Sequence, residues 1–221
     1  MLLSEELFEK VKAKWDLSCS KPFVVEMAKG TLPVIKFRNY MLQDYLYLSD
    51  YIGILKGACE EAEEAGIRAF IEDTLTQTEN ETRDVHLPNM KGLGVTDTDI
   101  RESVISPVLK EYGAYMRSQL NGKMIIYVLT ALLQCSWGYA YIGESVSKKY
   151  KDEIALSDYK SWFDSYCSRE YTLANKRWID IVDRMAYGID KGTKAELTQI
   201  FLNCADYENR FWDTLYAYSG A

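Results

Sequence analysis

An all-α bundle in a single domain is the fold this sequence predicts, and three observations predict it. Helix-start signals recur along the chain, glycine-centred punctuation cuts it into segments too long for strands, and no alternating runs are joined by a hairpin turn. No stretch rich in Pro, Gly or Ser divides the 221 residues, only 4 prolines occur, and there is no repeat of fixed period, so one core is expected over 1–221.

Ser4 precedes the first amphipathic run and predicts a helix near residues 4–17. A second, near 21–29, ends at Gly30-Thr31, and a long third covers 33–64. The fourth is expected over 66–84, with His86-Leu-Pro88 as a loop-like segment after it. Gly92 to Thr96 separates it from a helix over 98–119 that breaks near Pro107, where Ser106 offers a cap and the proline suits a first turn. Asn121-Gly122 opens a helix over 122–150. Its Ile125 to Leu133 stretch is β-branched enough at the start to suit a strand, but length and the absence of turn signals favour helix. A broken helix over 157–187 stops at Gly188 to Gly192, and Thr193 with Glu196 forms a capping box for a last helix over 193–218.

Charge narrows the function. A net charge of −7 and a pI near 4.9 argue against a protein that tracks phosphates, so no nucleic-acid partner is expected. The 5 cysteines, Cys19, Cys59, Cys135, Cys167 and Cys204, lack zinc spacing and any Cys-x-x-Cys motif, and they are expected as reduced thiols of a cytoplasmic protein. The N-terminus reaches Glu5 and Glu6 at once, without the basic and apolar regions of a signal peptide. Met124 to Gly143 is uncharged and long enough for a bilayer. Gln134, Cys135, Ser136 and Gly138 at its centre, and tyrosines spread through it instead of forming belts, assign it to a bundle core and not to a membrane.

That helix carries the candidate nucleophile. Tyr139 follows Cys135 by four residues and shares its face, with Ile142 beyond. A lone cysteine in an apolar helix is more often inert packing, so spacing alone leaves both readings open. In the third helix Tyr40, Asp44, Tyr47 and Tyr51 fall on one stripe, and Asp44 lies among apolar and aromatic neighbours, where a carboxylate needs a partner or a role. In the last helix Glu208 stands between aromatics, with Phe211 and Trp212 three and four positions on, and Arg210 is off its face.

Absences remove other chemistries. His86 is the only histidine, so a catalytic triad, a histidine-ligated haem or a diiron bundle with paired Glu-x-x-His motifs has almost nothing to build on. No glycine-rich nucleotide loop occurs, and no metal or cofactor is expected. Thiol, carboxylates and phenols remain. That set suits addition of sulfur to an electron-poor ring while carboxylic acids move protons.

Three segments carry a family resemblance. Lys21-Pro-Phe through Asp44-Tyr-Leu-Tyr47, Cys135-Ser-Trp-Gly-Tyr139-Ala-Tyr-Ile-Gly143 and Tyr207-Glu208-Asn-Arg-Phe211-Trp212 occur in order and span most of the chain. Together they resemble the TenA family, the thiaminase II or aminopyrimidine aminohydrolases, although Lys21 stands where the family usually has histidine. The resemblance implies a haem-oxygenase-like helical bundle, assembled as a homotetramer. It also implies a thiamine-salvage hydrolase that converts 4-amino-5-aminomethyl-2-methylpyrimidine to the hydroxymethyl compound and ammonia, and that takes thiamine as a second substrate. On this basis Cys135 matches the nucleophile, Asp44 the carboxylate at the pyrimidine amino edge and Glu208 the carboxylate at a ring nitrogen. Tyr47, Tyr112, Tyr139, Tyr166 and Phe211 match substrate-binding walls. A non-catalytic pyrimidine-binding or accessory regulatory protein is the alternative from another class.

Overall fold

The computed structural model describes residues 1–220. Twelve α-helices and one π-helical turn, with no strand, are found among the described residues. They are α1 (Leu3–Ser20), α2 (Pro22–Ala28), α3 (Val34–Glu61), α4 (Ala65–Glu81), the π turn (Thr82–His86), α5 (Leu87–Gly92), α6 (Asp97–Glu102), α7 (Pro107–Arg117), α8 (Ile126–Lys149), α9 (Lys151–Leu156), α10 (Lys160–Tyr166), α11 (Arg169–Met185) and α12 (Lys191–Ala217). The all-α expectation holds. The described residues divide into two compact units, one made of Met1–Leu32 with Leu129–Tyr216 and one of Pro33–Val128 with the segment from Ala217.

In the first unit, α1 buries Leu3, Leu7, Val11 and Trp15, four residues apart along one stripe. Ser4 does not cap this helix. It lies within the first turn, where its N–H and hydroxyl donate to Asp183 of α11 at 2.8 and 2.5 Å. The Glu5 carboxylate instead accepts the Leu2 N–H at 2.8 Å. Asn209 of α12 donates to the Lys14 carbonyl at 3.1 Å and accepts from Ser18, which ties α12 to α1 by buried hydrogen bonds. Lys21 pairs with Asp213 of α12 at 2.7 Å. At the other end of α12 the cap is Asp190, which accepts the Gly192 and Thr193 N–H groups at 2.8 and 3.0 Å, so the Thr193 box sits inside the helix it was expected to open. Asp190 reaches those amides first because it precedes them.

In the second unit, α7 lies close against α3. A Cβ at Gly113 would stand 2.9 Å from Asp50 Oδ2, a separation that real side chains do not tolerate. Gln43 of α3 closes the α6 to α7 connection, donating to the Val104 carbonyl at 3.0 Å and accepting the Ser106 N–H at 2.7 Å. An unpredicted capping box starts α6, where Thr96 and Asp99 satisfy each other's amides.

The largest departure from expectation is at Pro88. Its missing N–H and the bias of the preceding residue against αR predict a helix end. The helix continues instead, because the turn before it widens: the Leu87 N–H bonds the Thr82 carbonyl, five residues back. Helical geometry thus runs from Ala65 to Gly92, and His86 belongs to a helix, not to a loop.

Candidate active site

In the second unit, α3 carries one group of candidate residues. Tyr40, Asp44, Tyr47 and Tyr51 are all buried, so the stripe seen in the sequence faces the interior. Tyr47 stacks on Tyr112 of α7 with ring centroids 5.5 Å apart and planes 21° from parallel, and its hydroxyl reaches Met116 Sδ at 3.8 Å. Tyr112 precedes the close-approach glycine, and that contact is what lets its ring reach α3.

Asp44 is 6% exposed and meets His86, also 6% exposed, with Nε2 and Oδ2 2.6 Å apart. A carboxylate only accepts, so Nε2 carries the hydrogen. Burial by itself lowers the pKa of His86, but the hydrogen bond and charge of Asp44, with a smaller contribution from Glu81, outweigh it and hold His86 above the ordinary imidazole value. The sequence assigned His86 no partner. The signal that could have found it is the four-residue ladder Thr74, Thr78, Thr82, His86, in which each of the later two threonine hydroxyls donates to the carbonyl of the threonine before it.

In the first unit, α8, α10 and α12 carry another group of candidate residues. Cys135 is half-buried at the middle of α8. Three side chains of α11 hold that stretch: Trp178 donates to the Leu129 carbonyl at 3.2 Å, Tyr171 to the Ser136 carbonyl at 3.0 Å, and Asn175 accepts from the Ser136 hydroxyl at 2.9 Å. Tyr139, one turn after Cys135, enters an aromatic cluster with Tyr166 at 5.0 Å, Trp212 at 5.7 Å and Trp162 at 6.0 Å between ring centroids. Gly143 makes room for this. A Cβ there would lie 2.9 Å from the Cβ of Tyr166.

Glu208 is buried on α12, and Phe211 and Trp212, also buried, continue its helix with rings 6.0 Å apart. Arg210 is exposed and lies over the Tyr207 ring at 5.3 Å, so its placement off the Glu208 face is as expected. The other cysteines have different surroundings. Cys204 is fully buried, and burial, aided by Asp16, pushes the Cys19 thiol up to about 11. Burial and then the charge of Glu72 raise Cys59. Among the described residues no helix is long and apolar enough to cross a membrane, and no group of three or more His, Cys, Asp or Glu side chains could hold a metal ion.

Residues 8–218 match the model of the TENA/THI-4/PQQC family. An aminopyrimidine aminohydrolase of Helicobacter pylori is 29% identical over 98% of this chain and 99% of its own. One from Halalkalibacterium halodurans is also 29% identical, over 98% of this chain and 96% of its own. Among solved structures, a TenA homologue from P. horikoshii OT3 superposes with a TM-score of 0.87 at 26% identity, covering 98% of this chain and 99% of that one. A protein from Shewanella denitrificans OS217 with a haem-oxygenase-like fold has a TM-score of 0.72 at 16% identity, over 96% and 91% of the two chains, and shares the fold.

Proposed function

The chain belongs to the TENA/THI-4/PQQC family, and from that premise we propose that it is a thiamine-salvage hydrolase of the aminopyrimidine aminohydrolase type. Its substrate on this reading is 4-amino-5-aminomethyl-2-methylpyrimidine, with thiamine as a second substrate. The products are ammonia and the 5-hydroxymethyl pyrimidine. The observation that carries the reading is that a chain matching the family over residues 8–218 keeps a half-buried thiol, Cys135, and two buried carboxylates, Asp44 and Glu208.

The chemistry derives from those groups. Cys135 sulfur adds to a pyrimidine carbon as its proton passes to the 5-aminomethyl nitrogen, and Glu208 gives a proton to a ring nitrogen, so the ring accepts the electron pair. The pair then expels the amine from the 5-methylene, which leaves as ammonia. Water adds to the exocyclic methylene and gives up a proton to the Cys135 sulfur as the C–S bond breaks, and the ring-nitrogen proton returns to Glu208. Asp44 holds the 4-amino group, and Tyr47, Tyr112, Tyr139, Tyr166 and Phe211 stack on and enclose the ring, which strengthens the polar contacts by excluding water. Residues 1–221 act in this reading as one TenA-like domain, in a cytoplasmic homotetramer.

Incubation with the aminomethylpyrimidine, with ammonia and the hydroxymethyl product measured over time, tests the reading. Release that depends on Cys135 supports it. Pyrimidine binding without release moves the assignment to a non-catalytic carrier.

A further inference from the structure

The pair of Asp44 and His86 goes beyond any role the reaction has so far required. Two ionisable side chains, each 6% exposed, meet at 2.6 Å, and the imidazole is delivered by a π turn, an energetically costly interruption that tends to be kept where a side chain must be aimed. The turn sets His86 against Asp44 of α3. A carboxylate can rotate about its Cβ–Cγ bond and offer either oxygen. With Oδ2 tied to Nε2–H, the carboxylate plane is fixed, and Oδ1 is the oxygen left for another donor.

We propose that His86 is a positioning residue: it holds Asp44 by Oδ2 so that Oδ1 receives the 4-amino N–H of the aminopyrimidine. The inference rests on the hydrolase reading and deepens it, because it assigns the binding edge of the substrate to a two-residue device in place of a single carboxylate. His86 touches no reacting atom. Its effect passes entirely through Asp44, and that gives it a signature unlike that of a residue needed only for folding.

A double-mutant cycle reads that signature. kcat and KM for the aminomethylpyrimidine are measured in the wild type, His86→Leu, His86→Gln, Asp44→Ala and the Asp44→Ala/His86→Leu pair, with circular dichroism confirming that each is folded. His86→Leu is expected to lower kcat/KM on the order of 10²-fold, chiefly through KM, as loss of a contact made equally in ground and transition states does. His86→Gln, which keeps a neutral N–H donor, recovers most of that loss. In the Asp44→Ala background the His86→Leu change has no further effect. Equal losses with and without Asp44, or a glutamine no better than leucine, overturn the proposal. Because His86 is the only histidine, its imidazole resonances are unambiguous, and they are expected to move on Asp44→Ala; unmoved resonances also overturn it. Wild-type protein that releases no ammonia defeats the hydrolase reading itself, whereas release by the wild type with no His86 effect defeats only the positioning role.

Discussion

The thiol-bearing unit and the carboxylate-bearing unit hold their functional groups by different means. The stretch of α8 that carries Cys135 is held by neutral groups of α11, which bond two of its backbone carbonyls and the Ser136 hydroxyl, beside a cluster of aromatic rings. Around Asp44 the fixture is ionisable, a buried imidazole 2.6 Å away. The difference matches the work assigned to each. A thiol that gives up a proton on attack and regains it is set in place through its own helix. A carboxylate that must offer one oxygen to a substrate is oriented by a donor on the other.

The sharpest way to break this comparison is at Glu208, the carboxylate that does exchange a proton and lies in the thiol-bearing unit among aromatics. Glu208→Gln is expected to lower kcat about 10² to 10⁴-fold while leaving pyrimidine binding in place, as loss of a general acid does. Steady-state kinetics check this, and a change under tenfold would remove Glu208 from the proton path.

Next in size is Gly143→Ala. The new methyl meets the Cβ of Tyr166, which cannot swing away as a side-chain tip would, so the substitution is expected to cost about 1–3 kcal/mol of stability and to displace the aromatic wall. Chemical denaturation reads the first effect and KM the second. A fully stable variant would show that α10 yields to α8, and that the wall is not fixed by this contact. Ser136→Ala, which removes the hydroxyl bonded to Asn175, is a gentler version at about 1 kcal/mol, with Cys135 alkylation rates reporting whether the thiol has shifted.

The carboxylate-bearing unit predicts a pH dependence of stability. His86 has a raised pKa when folded, with Asp44 from α3 and Glu81 from α4 as the charges behind it. The folded state then holds the proton more tightly than the unfolded chain. The resulting stability is fully present below the unfolded value of about 6.5 and fades as pH rises through the folded value. Thermal melts of wild type and His86→Gln are expected to differ most at acidic pH and converge above neutrality. A gap that widens with rising pH would reverse the sign and contradict the pairing. The smallest effect is at Lys21→Met, where an ion pair to a largely exposed Asp213 is worth about 0–1 kcal/mol and no activity.

Much of this arrangement is legible in the sequence, for a physical reason. Asp44 and its tyrosines sit on one helical stripe, Cys135 and Tyr139 are one turn apart, and Glu208 precedes Phe211 and Trp212 by three and four; periodicity reports such neighbours directly. The breaks expected near Pro107 and within 157–187 are present, at Ser103 to Ser106 and at Cys167, and the helix count falls short at the short helices α5 and α9. His86 was hidden because proline chemistry argues for a loop, and a π turn overrides that only in the presence of tertiary partners. The anchoring of α8 by Tyr171, Asn175 and Trp178, and the fit of Tyr166 against Gly143, join residues too distant in sequence for any period to pair. Local caps failed at Ser4 and Thr193 because Asp183 engages the first and Asp190 precedes the second.

The central claim is that Cys135 drives hydrolysis of an aminopyrimidine. The most direct measurement is of ammonia and hydroxymethylpyrimidine released from the aminomethylpyrimidine by wild type and by Cys135→Ser, with pyrimidine binding measured in both. The account predicts stoichiometric release by the wild type and none by a Cys135→Ser protein that still binds pyrimidine. Equal release by the two proteins would contradict it.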